Sequence, residues 1–202
     1  MFFSSKQSLL NTVVLTGGPG GGKSSLIKEI MNFRWDSFQP IILEEAIYTM
    51  RGCGLNPRTE EFQRLLVKRQ IEREEAAIQE AQAKGLRLIL SHRGTLDPCA
   101  FWQSFGNTRE SFFEMTSMTL EDHYRRYDLV LHLESTAVRI PEAYQKWPVA
   151  HRPESIEEAT QLDALLGELW KGHPNYVFIP GMSSIEDKMA VAIKTIREFI
   201  NF

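Results

Sequence analysis

The sequence has little of what marks secreted, membrane-spanning or nucleic-acid-binding proteins. It contains two cysteines, Cys53 and Cys99, in 202 residues, and because they form no Cys-x-x-Cys pair, neither a disulfide framework nor a zinc site is expected. No apolar run approaches the ~18 residues that a membrane-spanning helix needs. The formal net charge of -3 offers no general attraction for nucleic acid, so we expect no nucleic-acid partner.

The first residues, MFFSSKQSLLNTVVL, contain no continuous apolar segment followed by a small-residue cleavage site. We therefore expect no secretory signal, and the scarcity of cysteine favours a cytoplasmic protein. Hydrophobic residues make up 43% of the chain and charged residues 24%, as is usual for soluble globular proteins. This length and composition predict one domain over residues 1–202.

Short apolar runs alternate with segments of helical period, which predicts a parallel sheet covered by helices on both faces. The predicted strands are Thr12–Thr16, Pro40–Leu43, Leu86–Ser91, Leu129–Leu133 and Tyr176–Ile179. The predicted helices are Ser24–Phe33, Thr59–Lys84, part of Phe101–Phe113, a short helix opened by a capping box at Thr119, a helix from a capping box at Ser155 to about Lys171, and Ser184–Phe199. The fold class is therefore α/β, with three layers and five parallel strands, and its ligands are expected beyond the carboxyl ends of the strands.

The stretch LTGGPGGGKSSLI, between the first strand and the first helix, contains Gly17-x-x-x-x-Gly22-Lys23-Ser24. This is a complete Walker A pattern in strand–loop–helix context. Glycines let successive backbone N–H groups turn inward around phosphates, and the helix N-terminus adds a positive dipole. Lys23 is expected at the β- and γ-phosphates, and the Ser24 hydroxyl on Mg²⁺. The predicted nucleotide-binding residues are Gly18, Pro19, Gly20, Gly21, Gly22, Lys23, Ser24 and Ser25.

Polar side chains follow the second and third strands at the same edge of the predicted sheet. One of the carboxylates Glu44 and Glu45 could act as a general base or hold a Mg²⁺-bound water. The third strand ends in Ser91-His92-Arg93, where P-loop enzymes usually have an acid that organises Mg²⁺. Neutral imidazole is a poor ligand for that ion. Arg93 is expected to pair with a phosphate or with Glu45.

Asp97, four residues after Arg93, has two open interpretations. It either caps the following helix or takes over the role of the missing acid.

A loop over about residues 135–153, between the fourth strand and the Ser155 helix, is the candidate lid. P-loop kinases place a mobile, arginine-bearing segment here, which closes over the phosphates and excludes water. The candidate cations are Arg139, Lys146 and Arg152, and an arginine would stabilise charge on the transferring phosphoryl group.

A phosphoryl acceptor is expected between the second strand and the long helix. The candidate contacts are Tyr48, Arg51, Arg58, Gln63, Gln70 and Arg73, and Trp102 and Trp147 are alternatives for stacking on a base. The Asn/Thr-Lys-x-Asp signature that reads guanine is absent, and the base is expected near Pro180–Ser183. ATP is therefore the default nucleotide, with GTP open.

Several segments in order, among them SHRGTLDPCAFW, YDLVLHL and HRPESIEEATQLDALLGELWKGHP, resemble one P-loop ATPase/kinase family. That family includes the kinase domain of the NAD-biosynthetic protein NadR and the TRPL-translocation-defect type of nucleotide-binding proteins, and the similarity is greater to the second group. The resemblance runs from Thr12 to about Phe199. It favours Glu45 through the EEA segment and Arg152 through HRPE. The family typically has Asp-Arg-Gly where this sequence has His92-Arg93-Gly94.

Two functions follow. The first is an ATP-dependent kinase that acts on an unidentified small molecule, nucleoside-like or otherwise hydroxyl-bearing. Its catalytic residues would be Lys23, Glu45, Arg93, Arg139 and Arg152, and Mg²⁺ would be bound by Ser24 and Glu45. The alternative is a nucleotide-dependent switch that binds ATP or GTP and hydrolyses it slowly, which the replaced acid favours. The sequence does not indicate an oligomeric state.

Overall fold

A five-stranded parallel sheet forms the centre of the molecule. The computed structural model describes residues 10–33, 39–50, 52–146, 154–182 and 184–200; the candidates Arg51, Trp147 and Arg152 lie outside these ranges. The strands are β1 (Asn11–Thr16), β2 (Ile41–Leu43), β3 (Leu88–His92), β4 (Leu129–Leu133) and β5 (Tyr176–Ile179), in the spatial order β2-β3-β1-β4-β5. Each neighbouring pair is parallel, which confirms the predicted fold class.

Helices surround this sheet on both faces. They are α1 (Lys23–Asn32), α2 (Glu60–Lys84), α3 (Asp97–Ser104), α4 (Arg109–Thr116), α5 (Leu120–Tyr124), α6 (Thr136–Arg139), α7 (Pro141–Lys146), α8 (Ile156–Trp170) and α9 (Ile185–Ile200), with a 3₁₀ helix at Ala46–Met50. Among the residues that the structure describes, no helix is both long enough and apolar enough to span a bilayer.

Alternate residues of the central strand pack into two different cores, because successive side chains of a strand point to opposite faces. Val13 and Leu15 lie in a cluster with residues of α1 and α9. Val14 lies in a second cluster with residues of α2, α3, α4 and α8. Both faces of the strand are therefore buried from solvent, which accounts for its continuous apolar sequence.

Local capping signals place the ends of several helices. Thr59 accepts a hydrogen bond from the Phe62 amide at the start of α2, and Gly85 ends this helix with a left-handed φ of 65°. Thr119 and Ser155 both form capping boxes, as predicted from their sequences. The segment predicted to be partly helical between Phe101 and Phe113 contains parts of two helices, α3 and α4.

The strand register brings the candidate residues to one edge of the sheet. Leu15 is paired with His92, so the loop after β1 and the turn after β3 begin side by side. The Arg93 amide donates to the Leu15 carbonyl at 3.0 Å and continues the pairing by one residue. The predicted third strand, Leu86–Ser91, was placed too early in the sequence: the observed strand is Leu88–His92, so His92 belongs to β3 rather than to the loop after it.

The packing of α8 on the sheet gives a first prediction. Leu166 is fully buried in the core formed with Val14 and Val130. Leu166→Ala is expected to lower the free energy of unfolding by about 2–5 kcal/mol, through lost burial and the cavity left behind. Urea denaturation measures this. Glu168→Ala, on the exposed side of the same helix, should change stability by less than ~0.5 kcal/mol. A similar small loss in both variants would contradict the packing.

Candidate active site

The glycine loop between β1 and α1 lies directly against the carboxyl end of β4. A Cβ atom on Gly17 would come within 2.1 Å of the Leu133 carbonyl oxygen, and one on Gly21 within 2.4 Å. Gly17 also has a φ of 118°, and Gly22, which caps α1, has a φ of 92°. Glycine is required here both by the left-handed backbone and by the close approach of β4.

Lys23 lies inside this loop. Its Nζ donates to the carbonyls of Gly17 at 2.6 Å and Gly18 at 2.9 Å. Burial, followed by repulsion from Arg93, lowers the pKa of Lys23 to about 7. A polyphosphate would supply the negative charge that stabilises this ammonium group. Ser24 and Ser25 follow at the start of α1, and both line the adjoining cavity.

Asp163 of α8 holds the loop from the other side. Its Oδ1 accepts hydrogen bonds from the backbone amides of Gly18 at 2.6 Å and Ser135 at 2.9 Å. Burial opposes the charge on this carboxylate, but the hydrogen bond and charge interaction with His132 lead the effects that lower its pKa. His132 Nε2 lies 3.2 Å from Oδ1, and the Tyr176 hydroxyl lies 2.9 Å from His132 Nδ1.

Lys188 of α9 forms a second support for the loop. Its Nζ donates to the carbonyls of Gly21 at 2.8 Å and Glu134 at 2.7 Å, and so ties the loop to the end of β4. Burial lowers the pKa of Lys188 to about 8. Asp163 and Lys188 were not among the site residues predicted from the sequence. Both lie at helical spacing from apolar residues on the buried face of their helices, and this is the signal that indicates them.

His92 joins the loop to Glu45. Its Nε2 lies 3.2 Å from the Ser24 hydroxyl oxygen, and its Nδ1 lies 3.7 Å from Glu45 Oε2. Burial, together with the Lys23 cation, lowers the pKa of His92 to about 4, so the imidazole is neutral near pH 7. The position where P-loop enzymes usually have an acid therefore holds an uncharged imidazole.

Arg93 lies between two carboxylates. Its Nε donates to Glu45 Oε1 at 2.5 Å and its Nη1 to Asp97 Oδ1 at 3.2 Å, and the guanidinium lies 5.0 Å from the centre of the Phe101 ring. Burial opposes ionisation of Glu45, but the Arg93 charge leads the effects that lower its pKa. Of the two expected partners of Arg93, the structure places Glu45 beside it.

Asp97 is fully buried, and both of its carboxylate oxygens accept hydrogen bonds. Besides Arg93, it accepts hydrogen bonds from the Thr16 hydroxyl at 2.9 Å, the Gly94 amide at 3.2 Å and the Trp170 indole at 3.0 Å. It begins α3. This geometry favours a structural role for Asp97 over that of a substitute acid.

A buried polar network holds the turn that carries Arg93, whose φ of 71° is unusual for a residue other than glycine. Gln70 Nε2 donates to Glu74, to the Ser91 hydroxyl and to the Arg93 carbonyl. Tyr127 donates to Glu74 at 2.6 Å. Gln70, predicted as an acceptor contact, therefore uses its amide nitrogen within the protein.

The candidate lid begins on the glycine loop. The Ser135 hydroxyl donates to the Pro19 carbonyl, and the Thr136 hydroxyl donates to the Gly20 carbonyl at 2.7 Å. Arg139 lines the cavity, and its side chain is 53% exposed. In this position it donates a hydrogen bond to Glu134 Oε2. Lys146 ends α7, and Arg152 falls outside the described residues.

One cavity of about 1330 Å³ connects the glycine loop to an aromatic slot. The slot is lined by Tyr48, Phe62, Leu66, Phe101 and Phe105. Arg58 lies 5.0 Å over the Phe105 ring.

Other predicted contacts have partners within the protein. Gln63 donates to the Pro57 carbonyl at 2.6 Å, and Arg73 donates to the Glu44 carbonyl at 2.6 Å. Trp102 is 5% exposed and donates to Ser111 at 2.8 Å, which leaves its ring in the core rather than against a base.

P-loop kinases generally use their nucleotide with Mg²⁺, and the residues here suit that ion only in part. The Ser24 hydroxyl is a suitable oxygen ligand. The Ser24 hydroxyl contacts His92 Nε2, whereas Mg²⁺ prefers oxygen, and one oxygen of Glu45 is bound to Arg93. In the described part of the chain, no group of three or more His, Cys, Asp or Glu side chains could hold a metal.

Comparison with known proteins agrees with this architecture. A family model described as an AAA domain (AAA_28) matches residues 12–188. A search of curated proteins finds no match. The narrower resemblance to the NadR kinase domain and the TRPL-translocation-defect group stays a prediction.

Two solved structures of deoxyadenosine kinase from M. mycoides have a similar fold. The structure with the products dCMP and a flexible dCDP has a TM-score of 0.52 and 18% identity, covering 93% of this chain and 99% of the kinase. The structure with bound dATP has a TM-score of 0.52 and 17% identity, covering 92% and 99%. At this identity the similarity concerns the fold.

The support of the loop by Asp163 gives a second prediction. Asp163→Ala leaves the buried amides of Gly18 and Ser135 without an acceptor, which costs about 1–3 kcal/mol. We expect ATP affinity, measured by titration calorimetry, to fall on the order of tenfold, as a cost near 1.4 kcal/mol implies. Asp163→Asn keeps an acceptor oxygen and should lose less. Unchanged affinity in a destabilised Asp163→Ala protein would show that Asp163 supports the fold but not the loop.

Proposed function

Because the chain belongs to the AAA-domain family of P-loop proteins, we propose that it is an ATP-dependent kinase for a small, nucleoside-like acceptor. The proposal rests on one continuous cavity, which joins the glycine loop to the aromatic slot. At about 1330 Å³ it exceeds the ~300–1,000 Å³ usual for one ligand. A triphosphate on the loop and a second molecule in the slot account for this size.

The position of Glu45 supports a role between the two ligands. Its Oε2 lies 3.7 Å from His92, which contacts Ser24 at the start of α1, and its Oε1 pairs with Arg93, which lies over the Phe101 ring of the slot. A carboxylate has about four acceptor sites, so Glu45 can pair with Arg93 and still accept a hydroxyl proton. Glu45 is therefore the proposed general base.

The proposed reaction transfers the γ-phosphoryl group in line. The acceptor oxygen forms a bond to the γ-phosphorus, the bond from that phosphorus to the β–γ bridging oxygen breaks, and the hydroxyl proton passes to Glu45. Lys23 and the amides of the loop stabilise charge on the phosphates. Arg139 would add a cation after leaving Glu134, and Arg152 is a further candidate from the lid.

The aromatic slot supports a flat acceptor. Its rings bury an apolar face well, and Arg58 and Arg93 each lie over one of them. The structurally similar kinase is named for deoxyadenosine, which agrees with a nucleoside-like molecule in the slot.

A switch protein is the second candidate, favoured by the pairing of Glu45 with Arg93 and by the neutral His92. The protein would then bind ATP or GTP and change the position of its lid.

Phosphorus NMR of the protein with ATP, a divalent metal salt and pooled nucleosides and metabolites distinguishes the two functions. We expect a new phosphoester resonance that is lost in Lys23→Ala, which removes the loop cation. Lys194→Ala, an exposed lysine of α9, is the matched control and should retain it. Nucleotide binding that yields only inorganic phosphate, or no turnover, would support the switch instead.

The proposed base gives a further prediction. Glu45→Gln should lower kcat by about 10²–10⁴-fold, the usual contribution of a general base, with a smaller effect on ATP affinity. Steady-state kinetics with the acceptor identified by NMR measure both. The neighbouring Glu44→Gln changes an exposed side chain outside the cavity and should leave kcat unchanged. Equal effects of the two substitutions would exclude Glu45 as the base.

A further inference from the structure

The distance between Ser24 and His92 matches the spacing of two ligands on one metal ion. Ser24 Oγ and His92 Nε2 are 3.2 Å apart. Adjacent ligands of an octahedral ion with bonds of about 2.1 Å lie about 3.0 Å apart. The Ser24 hydroxyl is where a P-loop binds the ion that accompanies a nucleotide. An ion on Ser24 can therefore reach Nε2 with a shift of a few tenths of an ångström.

The other imidazole nitrogen has an environment that suits such an ion. His92 Nδ1 is buried and has no hydrogen-bond partner, although Glu45 Oε2 lies 3.7 Å away. Histidines that bind metals usually donate their second ring nitrogen to a carboxylate, which fixes the ring and strengthens the ligand. A hydrogen bond between Ser24 and His92 alone leaves Nδ1 unsatisfied. A movement of the Glu45 carboxylate toward the ring would satisfy it and leave Nε2 beside Ser24.

We propose that Ser24 Oγ and His92 Nε2 both coordinate the divalent ion of the bound nucleotide, with Glu45 holding the imidazole from behind. The remaining ligands are phosphate oxygens and water. Because imidazole suits the later first-row ions and Mg²⁺ prefers oxygen, the site takes an ion such as Ni²⁺ in preference to Mg²⁺. This inference rests on the nucleotide binding proposed above. Toward the ion, Glu45 is a positioning residue rather than a ligand, and this role is in addition to its proposed role as general base.

Pulsed electron paramagnetic resonance of Mn²⁺ tests the coordination directly. The sample is the full chain with Mn²⁺ and β,γ-methylene ATP, prepared with ¹⁵N in histidine only. We expect modulation from directly bound ³¹P groups and from one histidine nitrogen. His92→Asp should keep the phosphorus signal and lose the nitrogen signal. Phosphorus coupling without histidine nitrogen in the unsubstituted protein would overturn the inference and leave the proposed kinase intact.

Metal competition provides a second readout. With the same nucleotide analogue, the ratio of Ni²⁺ to Mg²⁺ affinity should fall on the order of tenfold in His92→Asp, because carboxylate replaces the nitrogen ligand that Ni²⁺ favours. Glu45→Gln should weaken Ni²⁺ binding by ~10-fold, as loss of a supporting carboxylate does, whereas Glu44→Gln should not. An unchanged ratio in His92→Asp would overturn the inference. Failure of the analogue to bind, with either ion or with none, would overturn the proposed function as well.

Discussion

The contact between the glycine loop and the end of β4 is the constraint on which the rest of the site depends. Gly17 and Gly21 approach the Leu133 carbonyl so closely that no side chain fits between them. With the loop fixed there, Asp163 can accept from the Gly18 amide, and Lys188 can join Gly21 to Glu134. The anion-binding amides of the loop are thus ordered by two helices distant in sequence.

Buried charge is concentrated around this loop, and each charge has partners. Arg93 pairs with Glu45 and Asp97, and Glu74 accepts from Arg126 and Tyr127. Buried ion pairs add little net stability, because removing two charges from water costs about as much as their attraction returns. Their effect here is geometric. They keep the strained Arg93 turn, and with it His92, in one position beside Ser24.

The fold and the nucleotide loop were predictable because they depend on local pattern. Apolar runs located all five strands, and capping boxes located the starts of α5 and α8. The supports of the loop were not predicted, because Asp163 and Lys188 act through the packing of α8 and α9. The Ser24–His92 distance likewise depends on register. Sequence alone marks such residues only as polar positions on apolar helix faces, or as an unusual residue at a strand end.

The hydrogen bond from Trp170 to Asp97 has an optical consequence. The indole donates to Oδ2 of the carboxylate whose Oδ1 accepts from Arg93. Indole emission responds to nearby charge, so Trp170 senses the electrostatic state of Arg93 from inside the core. In a chain whose other three tryptophans are replaced by phenylalanine, the fluorescence of Trp170 would report ligand binding without an added label.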